Sequence, residues 1–291
     1  MPSQPDYTQP ILDSVLHPSD FSEGSLAAFH HALKAALVAR SRFTILHVAS
    51  GGAVKWTDFP GVRETLERWG LLPANSPRTA IPELGIDVRK VVGRQKNPVK
   101  SVLAYLETYP ADLIVLATYA EEGRATWLRQ SVAAPIARRS GQMTLFLPSN
   151  ARGFVSPEDG SLHLETILVP VAVKPRPQLA LEAAARLVQR LHCERGTFVL
   201  LHVGEPSERP AVRCPEVPGW EWKQITRAGD VVHGIQDTAS KKSADLIVMT
   251  TDGRHGFLDA LRGSHSEQLL RTSRLPILTV PAQSLAAGAL T

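Results

Sequence analysis

The sequence predicts an α/β protein built as two tandem doubly wound domains, each a five-stranded parallel sheet in the order 3-2-1-4-5 with helices on both faces. Three observations predict it. Residues 98–148 and 231–281 align without a gap at a constant offset of 133, so that Asp112-Leu113-Ile114-Val115-Leu116 answers Asp245-Leu246-Ile247-Val248-Met249. Gly123, Ser131 and Pro148 answer Gly256, Ser264 and Pro281 in the same way. The front halves also repeat: Val15-Leu16-His17-Pro18 answers Ile167-Leu168-Val169-Pro170, and Phe43–Val48 answers Phe198–Val203. A repeat this long is a duplicated domain rather than a solenoid unit. Within each copy, continuous apolar runs alternate with helical segments, the signature of a parallel sheet covered on both faces. Right-handed crossovers then make an open, doubly wound sandwich.

In the first copy, Leu12–His17 is a short apolar strand, and Ser22–Ala39 is an Ala/Leu-rich helix with Ser22 placed to cap it. Phe43–Val48 is the second strand. Residues 50–80 are rich in Gly and Pro, with a short helix over Val62–Trp69. Ile86–Val92 is the third strand, Pro98–Glu107 a helix with Pro in its first turn, and Leu113–Thr118 the fourth strand. A helix near Ser131–Arg139 leads to a last strand, Met143–Leu147. The second copy places strands at Thr166–Val169, Thr197–Val203, Glu221–Ala228, Asp245–Thr250 and Ile277–Val280. Its helices fall near Gln178–Cys193, Val231–Lys241 and Ser264–Thr272. Ser149–Leu164 is polar with Gly and Pro and reads as the linker, which divides the chain into domains 1–150 and 151–291.

At 291 residues the chain is long enough for two cores. Its net charge of +4 divides into +3 over residues 1–148 (16 basic, 13 acidic) and +1 over the remainder. That spread is too even for a nucleic-acid surface, which calls for a concentrated basic face. No apolar run is long enough to span a bilayer, and the start, Met1-Pro2-Ser3-Gln4-Pro5-Asp6, lacks the regions of a secretory signal. Cys193 and Cys214, the only cysteines, have neither metal-ligand nor redox spacing. A reduced cytoplasmic protein is expected, without nucleic-acid or membrane partners.

In sheets of this order the switch point lies between strands one and four, and ligands bind at the carboxyl ends bordering it. Functional residues should therefore follow His17 and Thr118 in the first copy, and Val169 and Thr251 in the second. After the fourth strand of the second copy runs Thr250-Thr251-Asp252-Gly253-Arg254-His255-Gly256, then Gly263-Ser264-His265-Ser266. Gly253 and Gly256 allow tight turns and close backbone approach to a ligand. Gly263-Ser264 opens a helix whose free N–H groups and dipole favour an anion, with Ser264 and Ser266 adding hydroxyl donors. The competing reading, that the glycines only shape a strand-to-helix connection and Ser264 only caps, stays open on the motif alone.

This layout resembles the universal stress protein family in a tandem two-domain form, over nearly the whole chain. The resemblance rests on the Leu46-His47-Val48 and Leu201-His202-Val203 strands, the repeated Ala-Asp-Leu-Ile-Val fourth strands, and the glycine loop. It implies a non-catalytic stress-response protein. It also implies a Gly-x2-Gly-x9-Gly-Ser/Thr loop for ATP phosphates, with magnesium, and a Pro-x-Asp after the first strand near adenine. Both copies depart from that pattern. In the second, only six residues separate Gly256 from Gly263, and the first strand ends Pro170-Val171-Ala172, without the aspartate. In the first, Pro18-Ser19-Asp20 is kept, but the later loop is Thr118-Tyr119-Ala120-Glu121-Glu122-Gly123, then Gln130-Ser131. Glu121 and Glu122 would repel phosphate.

The second copy is thus the expected place for an adenine nucleotide or other phosphate-bearing ligand, through Pro170, Thr250, Gly253, Arg254, Gly256, Gly263, Ser264 and Ser266. Asp20 is a lesser candidate in the first copy, where the site reads as kept for structure. ATP with magnesium is the cofactor to expect if any is retained, and otherwise none. The resemblance further implies an intramolecular pseudo-dimer joined through Met143–Leu147 and Ile277–Val280, with a homodimer as a further option.

The competing readings are a nucleotide-free interaction scaffold and, more weakly, a metal- or nucleotide-dependent hydrolase. Asp252 and His255 are the metal candidates, near His233 and His265, but no spacing matches a structural zinc motif. Ser264 and His265, as helix neighbours, do not face each other and make no nucleophile–base pair. Neither a Gly-x-Ser-x-Gly elbow nor a Walker A motif is present.

Overall fold

The computed structural model describes residues 12–49, 54–118, 127–151, 153–251 and 265–282. The first half contains β1 (Ser14–Ser19), α1 (Leu26–Ala39), β2 (Arg42–His47), α2 (Val62–Arg68), β3 (Asp87–Val92), α3 (Pro98–Thr108), β4 (Leu113–Thr118), α4 (Trp127–Ser140) and β5 (Met143–Pro148). The second contains β6 (Thr166–Val171), α5 (Gln178–Arg190), β7 (Gly196–Val203), β8 (Trp220–Arg227), α6 (Val231–Lys241), β9 (Leu246–Thr251), α7 (His265–Thr272) and β10 (Ile277–Pro281).

Each half has the expected order, and the two sheets fuse into one of ten strands, β3-β2-β1-β4-β5-β10-β9-β6-β7-β8. Pairing within each half is parallel. The seam is antiparallel, with Ile277 opposite Phe146, Leu278 opposite Leu145 and Thr279 opposite Thr144. The Thr279 hydroxyl also donates to the Thr144 carbonyl at 3.2 Å. The seam consumes what would otherwise be two bare apolar edges, while the outer edges β3 and β8 carry exposed charges such as Asp87, Arg89, Glu221 and Lys223.

Alternation along the strands sends neighbours to opposite faces. Val15, Phe43 and Val115 join one core with α1, while Leu16, Leu46 and Ile114 join another with α3 and α4. The α1/α5 face carries one cluster running across both halves. The opposite face is divided into two clusters, and Leu270 of α7 touches both.

Three local expectations are corrected. Ser22 does not cap α1: its N–H (3.0 Å) and hydroxyl (2.6 Å) both donate to Asp20 Oδ1, and a 3-10 turn over Glu23–Ser25 precedes Leu26. α5 ends at Arg190 rather than Cys193, because His192 takes a left-handed conformation (φ 54°). The linker is not merely a polar connector, since Phe154, Val155 and Leu164 are buried in the continuous core.

Candidate functional site

In both halves the central strands pair only near their amino ends, Val15–Leu113 and Leu16–Ile114 in one, Ile167–Leu246 and Leu168–Ile247 in the other. Beyond those pairs β1 and β4, and β6 and β9, part at the switch point where such sheets hold ligands.

In the second half Pro170 is half-buried near the end of β6, and Thr250 is buried near the end of β9. The Thr250 hydroxyl accepts from the Ala180 N–H at 3.2 Å, fastening β9 to the start of α5. His202, at the end of β7, lies between the Val171 and Glu205 carbonyls at 3.2 and 3.1 Å. Ser266 sits half-buried in the first turn of α7. The structure thus brings Pro170 and Thr250 to one crevice and sets Ser266 on the helix that follows the glycine loop. Gly253, Arg254, Gly256, Gly263 and Ser264, with the metal candidates Asp252 and His255, lie outside the described residues. Among the described residues no group of three His, Cys, Asp or Glu could hold a metal. As for adenine nucleotide, Ala172 supplies no carboxylate, while the Thr250 hydroxyl, which accepts from Ala180, keeps its own proton to donate. The described residues form walls, and every expected phosphate-cradling glycine falls in 252–264.

The first-half crevice is furnished differently. Asp20 Oδ1 is committed to Ser22. Phe21, held at φ 62°, stacks on His47 with ring centroids 3.7 Å apart, and Phe59 meets it edge-on at 4.8 Å. Lys90 lies over the Phe59 ring at 5.5 Å. The chain's own aromatics therefore cover the carboxyl ends of β1 and β2. The Glu121–Glu122 segment lies outside the described residues.

Three buried histidines distinguish the first half, at positions where the second has Val169, Glu182 and Ala183. His17 Nδ1 faces the Val115 carbonyl at 3.0 Å, while its buried Nε2 has no partner among the described residues. His31 Nδ1 faces the Ala27 carbonyl at 2.7 Å, and its Nε2 accepts from the Phe154 and Val155 N–H groups at 2.9 and 3.2 Å. Those partners fix the tautomer: the proton is on Nδ1. His30 Nε2 lies 3.2 Å from Arg68 Nη2. Burial first of all holds each of these rings down to about 4, with the Arg68 charge adding to the effect at His30. Burial likewise pushes the Cys193 thiol up to about 11 and raises Cys214, so neither is a ready thiolate at neutral pH.

Sequence reasoning missed a role for the aspartate of the repeated fourth strand. Asp112 Oδ2 accepts from the Asp13 and Ser14 N–H groups at 2.8 and 2.9 Å, and from the Ser14 hydroxyl at 3.1 Å. Asp245 Oδ2 accepts from Glu165 and Thr166 N–H groups at the same distances, 2.8 and 2.9 Å. Each aspartate fastens the entrance of its half's first strand. Its repetition at the offset of 133 was the available signal. The tryptophans of the second half also serve packing. Trp222 stacks on Phe198 at 4.2 Å, and the Trp220 and Trp222 indole N–H groups donate to the Cys193 and Pro215 carbonyls.

The model of the universal stress protein family matches residues 12–148 and 215–281. The chain belongs to the universal stress protein family. A stress-response role goes with that membership. The chain is 23% identical over 269 residues to universal stress protein Rv2005c of Mycobacterium tuberculosis, covering 81% of this chain and 85% of that one. Universal stress protein MJ0531 of Methanocaldococcus jannaschii is 32% identical over 110 residues, 38% of this chain and 60% of that one. In fold, the chain is similar to the crystal structure of a universal stress protein from Archaeoglobus fulgidus, with a TM-score of 0.58, 17% identity, and coverage of 93% of this chain and 97% of that one. No helix among the described residues is long and apolar enough to cross a membrane.

Proposed function

We propose that this universal stress protein is a non-catalytic cytoplasmic stress-response protein that takes a phosphate-bearing ligand, an adenine nucleotide foremost, in the crevice of its second half. The supporting observation is the coincidence of position and composition: Gly253, Gly256 and Gly263-Ser264 follow β9 directly, and β9 borders the switch point with β6. The first half, its domain taken as residues 1–150, supplies stability and the seam partner. Its Asp20 is spent locally, and Phe21 stacks on His47 beside the first strand's end. The two halves work as an intramolecular pair through β5 and β10.

Affinity for Mg-ATP is expected to be weak, because three loop residues are missing relative to the family pattern and Ala172 offers adenine no acceptor. A lost hydrogen bond of that kind costs about 0.5–1.5 kcal/mol. Mass spectrometry of the native protein and calorimetry with Mg-ATP test the reading. Gly256→Trp should abolish binding while Gly123→Trp leaves it intact. Equal loss in both variants would overturn the assignment to the second half. Absence of any co-purified or titratable nucleotide would favour the scaffold reading, to which the shortened loop already points.

A further inference from the structure

A cavity of about 400 Å³ lies on the α1/α5 face over the seam between the halves. Its floor is Leu145 of β5 with Leu278 and Val280 of β10, and the linker closes it with Phe154 and Val155. The walls are two matching helical stripes: Ala35, Val38 and Ala39 on α1, and Ala183, Leu187 and Leu191 on and just after α5. Met143, Asp112 and Leu113 also border it, so it lies by the amino ends of β4 and β5. It is therefore separate from the first half's crevice at the carboxyl ends of β1 and β4. On the second half Val280 of its floor pairs with Thr250 of β9, but its lining includes none of Pro170, Thr250 and Ser266, so a ligand held in it need not share a contact with a nucleotide in that crevice.

The walls are apolar, but they carry cations in equivalent places. The offset of 152 that relates β1 to β6 also relates Lys34 to Arg186, and both line the cavity half-buried. Arg186 shares one edge of its guanidinium with Glu182 at 3.3 Å, leaving further N–H donors. Lys34 makes no hydrogen bond or ion pair with another described residue, and the counter-charge that acts on it, Asp159, accepts from the Ser161 N–H at 2.9 Å. Burial lowers the Lys34 pKa, which marks an ammonium short of solvation. Arg40 and Arg190 stand exposed at the rim, where they complement the carbonyl ends of α1 and α5 and add little specificity. Asp112, the carboxylate among the lining residues, is held in place by three donors on Oδ2 at the entrance of β1. A pocket of this size that is apolar inside with a few placed polar groups is the usual form of a small-ligand site.

We propose that this cavity binds one single-chain amphipathic anion, a fatty-acid carboxylate, with its hydrocarbon chain along the β5/β10 seam and its head between Lys34 and Arg186. Because the chain crosses the joint, an occupied cavity ties the two halves together through contacts neither makes alone.

Calorimetry of the full chain with laurate, dodecanol and dodecylammonium tests this, supported by a series of shorter carboxylates. Laurate should bind one to one, with affinity rising about two- to fourfold per methylene until the cavity is full. Dodecanol and dodecylammonium should bind at least tenfold more weakly. Mg-ATP should not displace laurate. Ala35→Trp should abolish binding, and Lys34→Glu should weaken it tenfold or more while both variants melt cooperatively. Should either variant fail to fold, the head-group series on the wild-type chain still decides. Phosphatidylglycerol vesicles that fail to retain the protein, while free laurate binds, identify the free acid as the source; retention that Ala35→Trp leaves unchanged would overturn the proposal in favour of surface adsorption. No binding of laurate, binding indifferent to head-group charge, or displacement by Mg-ATP would each overturn it too.

Discussion

Replacing His31 by Leu should cost the protein both stability and part of its acid sensitivity, and the two effects can be measured separately. His31 is a buried residue of α1 that holds the linker by accepting from two consecutive N–H groups, Phe154 and Val155, on one nitrogen. The Phe154 ring meets the imidazole edge-on at 4.5 Å, and Gly153 packs so closely that a Cβ there would fall 2.3 Å from His31 Cε1. Leucine keeps much of the volume and removes both acceptor and donor. Two buried N–H groups are then left unpaired at about 1–3 kcal/mol each, so about 2–5 kcal/mol of stability should be lost at pH 7, part of it recovered by linker relaxation.

The pH effect has a definite sign. The folded ring sits at about 4, below its ordinary 6.5, because burial disfavours the imidazolium. Its contribution is complete above pH 6.5 and is lost as pH falls toward 4, since the unfolded chain takes the proton first. Over that window His31 accounts for roughly 3 kcal/mol, with a slope of about 1.4 kcal/mol per pH unit in its middle. His17 and His30 act with the same sign. Urea unfolding at a series of pH values between 7 and 5, above the carboxylate range, should show wild-type stability falling steeply and the variant falling less steeply by about one proton's worth. Identical slopes in the two proteins would refute the neutral-acceptor assignment, whatever the change at pH 7.

Two further substitutions probe the strand anchors. Asp112→Ala and Asp245→Ala each free the donors at the entrance of a first strand and should cost about 1–3 kcal/mol apiece, read as a lower melting temperature, whereas Asn should recover part of the loss. Asp20→Ala removes the acceptor shared by the Ser22 N–H and hydroxyl. It should lower the melting temperature by a few degrees and leave nucleotide affinity unchanged; unchanged stability with lost binding would make the first half the live site.

The fold was legible because duplication doubles every local signal. The parallel strands are continuous apolar runs, and the order of each half follows from handedness and crossover geometry, neither of which needs side-chain detail. What escaped depended on contacts distant in sequence. Ser22 has the composition of a cap, yet Asp20 two residues earlier turns its hydroxyl into a donor. The linker reads as polar, yet Phe154 and Val155 are drawn into the core by His31, 123 and 124 residues away. The candidate phosphate site was legible as composition, in the glycines after β9, whereas the bond that the Thr250 hydroxyl accepts from the Ala180 N–H joins residues 70 apart and has no local signal.

The divergence of the halves has a physical logic in the seam. Once β5 and β10 pair, the α1/α5 face becomes a single core, and packing there is felt by both halves. On the two stripes facing the cavity Ala35 and Ala39 answer Leu187 and Leu191, with a cation at the same place in each, while Val38 answers Arg190. By contrast, none of the crevice residues Asp20, Pro170 and Thr250 lines the cavity, so the crevices can change while the shared lining is kept. Beside the first, Phe21, His47 and Phe59 stack together at the ends of β1 and β2, and the second has lost its adenine-side aspartate while keeping glycines. A duplicated domain fused along one strand pair thus holds its shared surface symmetric and lets its separate surfaces drift, which is why a place common to both halves is the stronger place to look for a ligand specific to the fused chain.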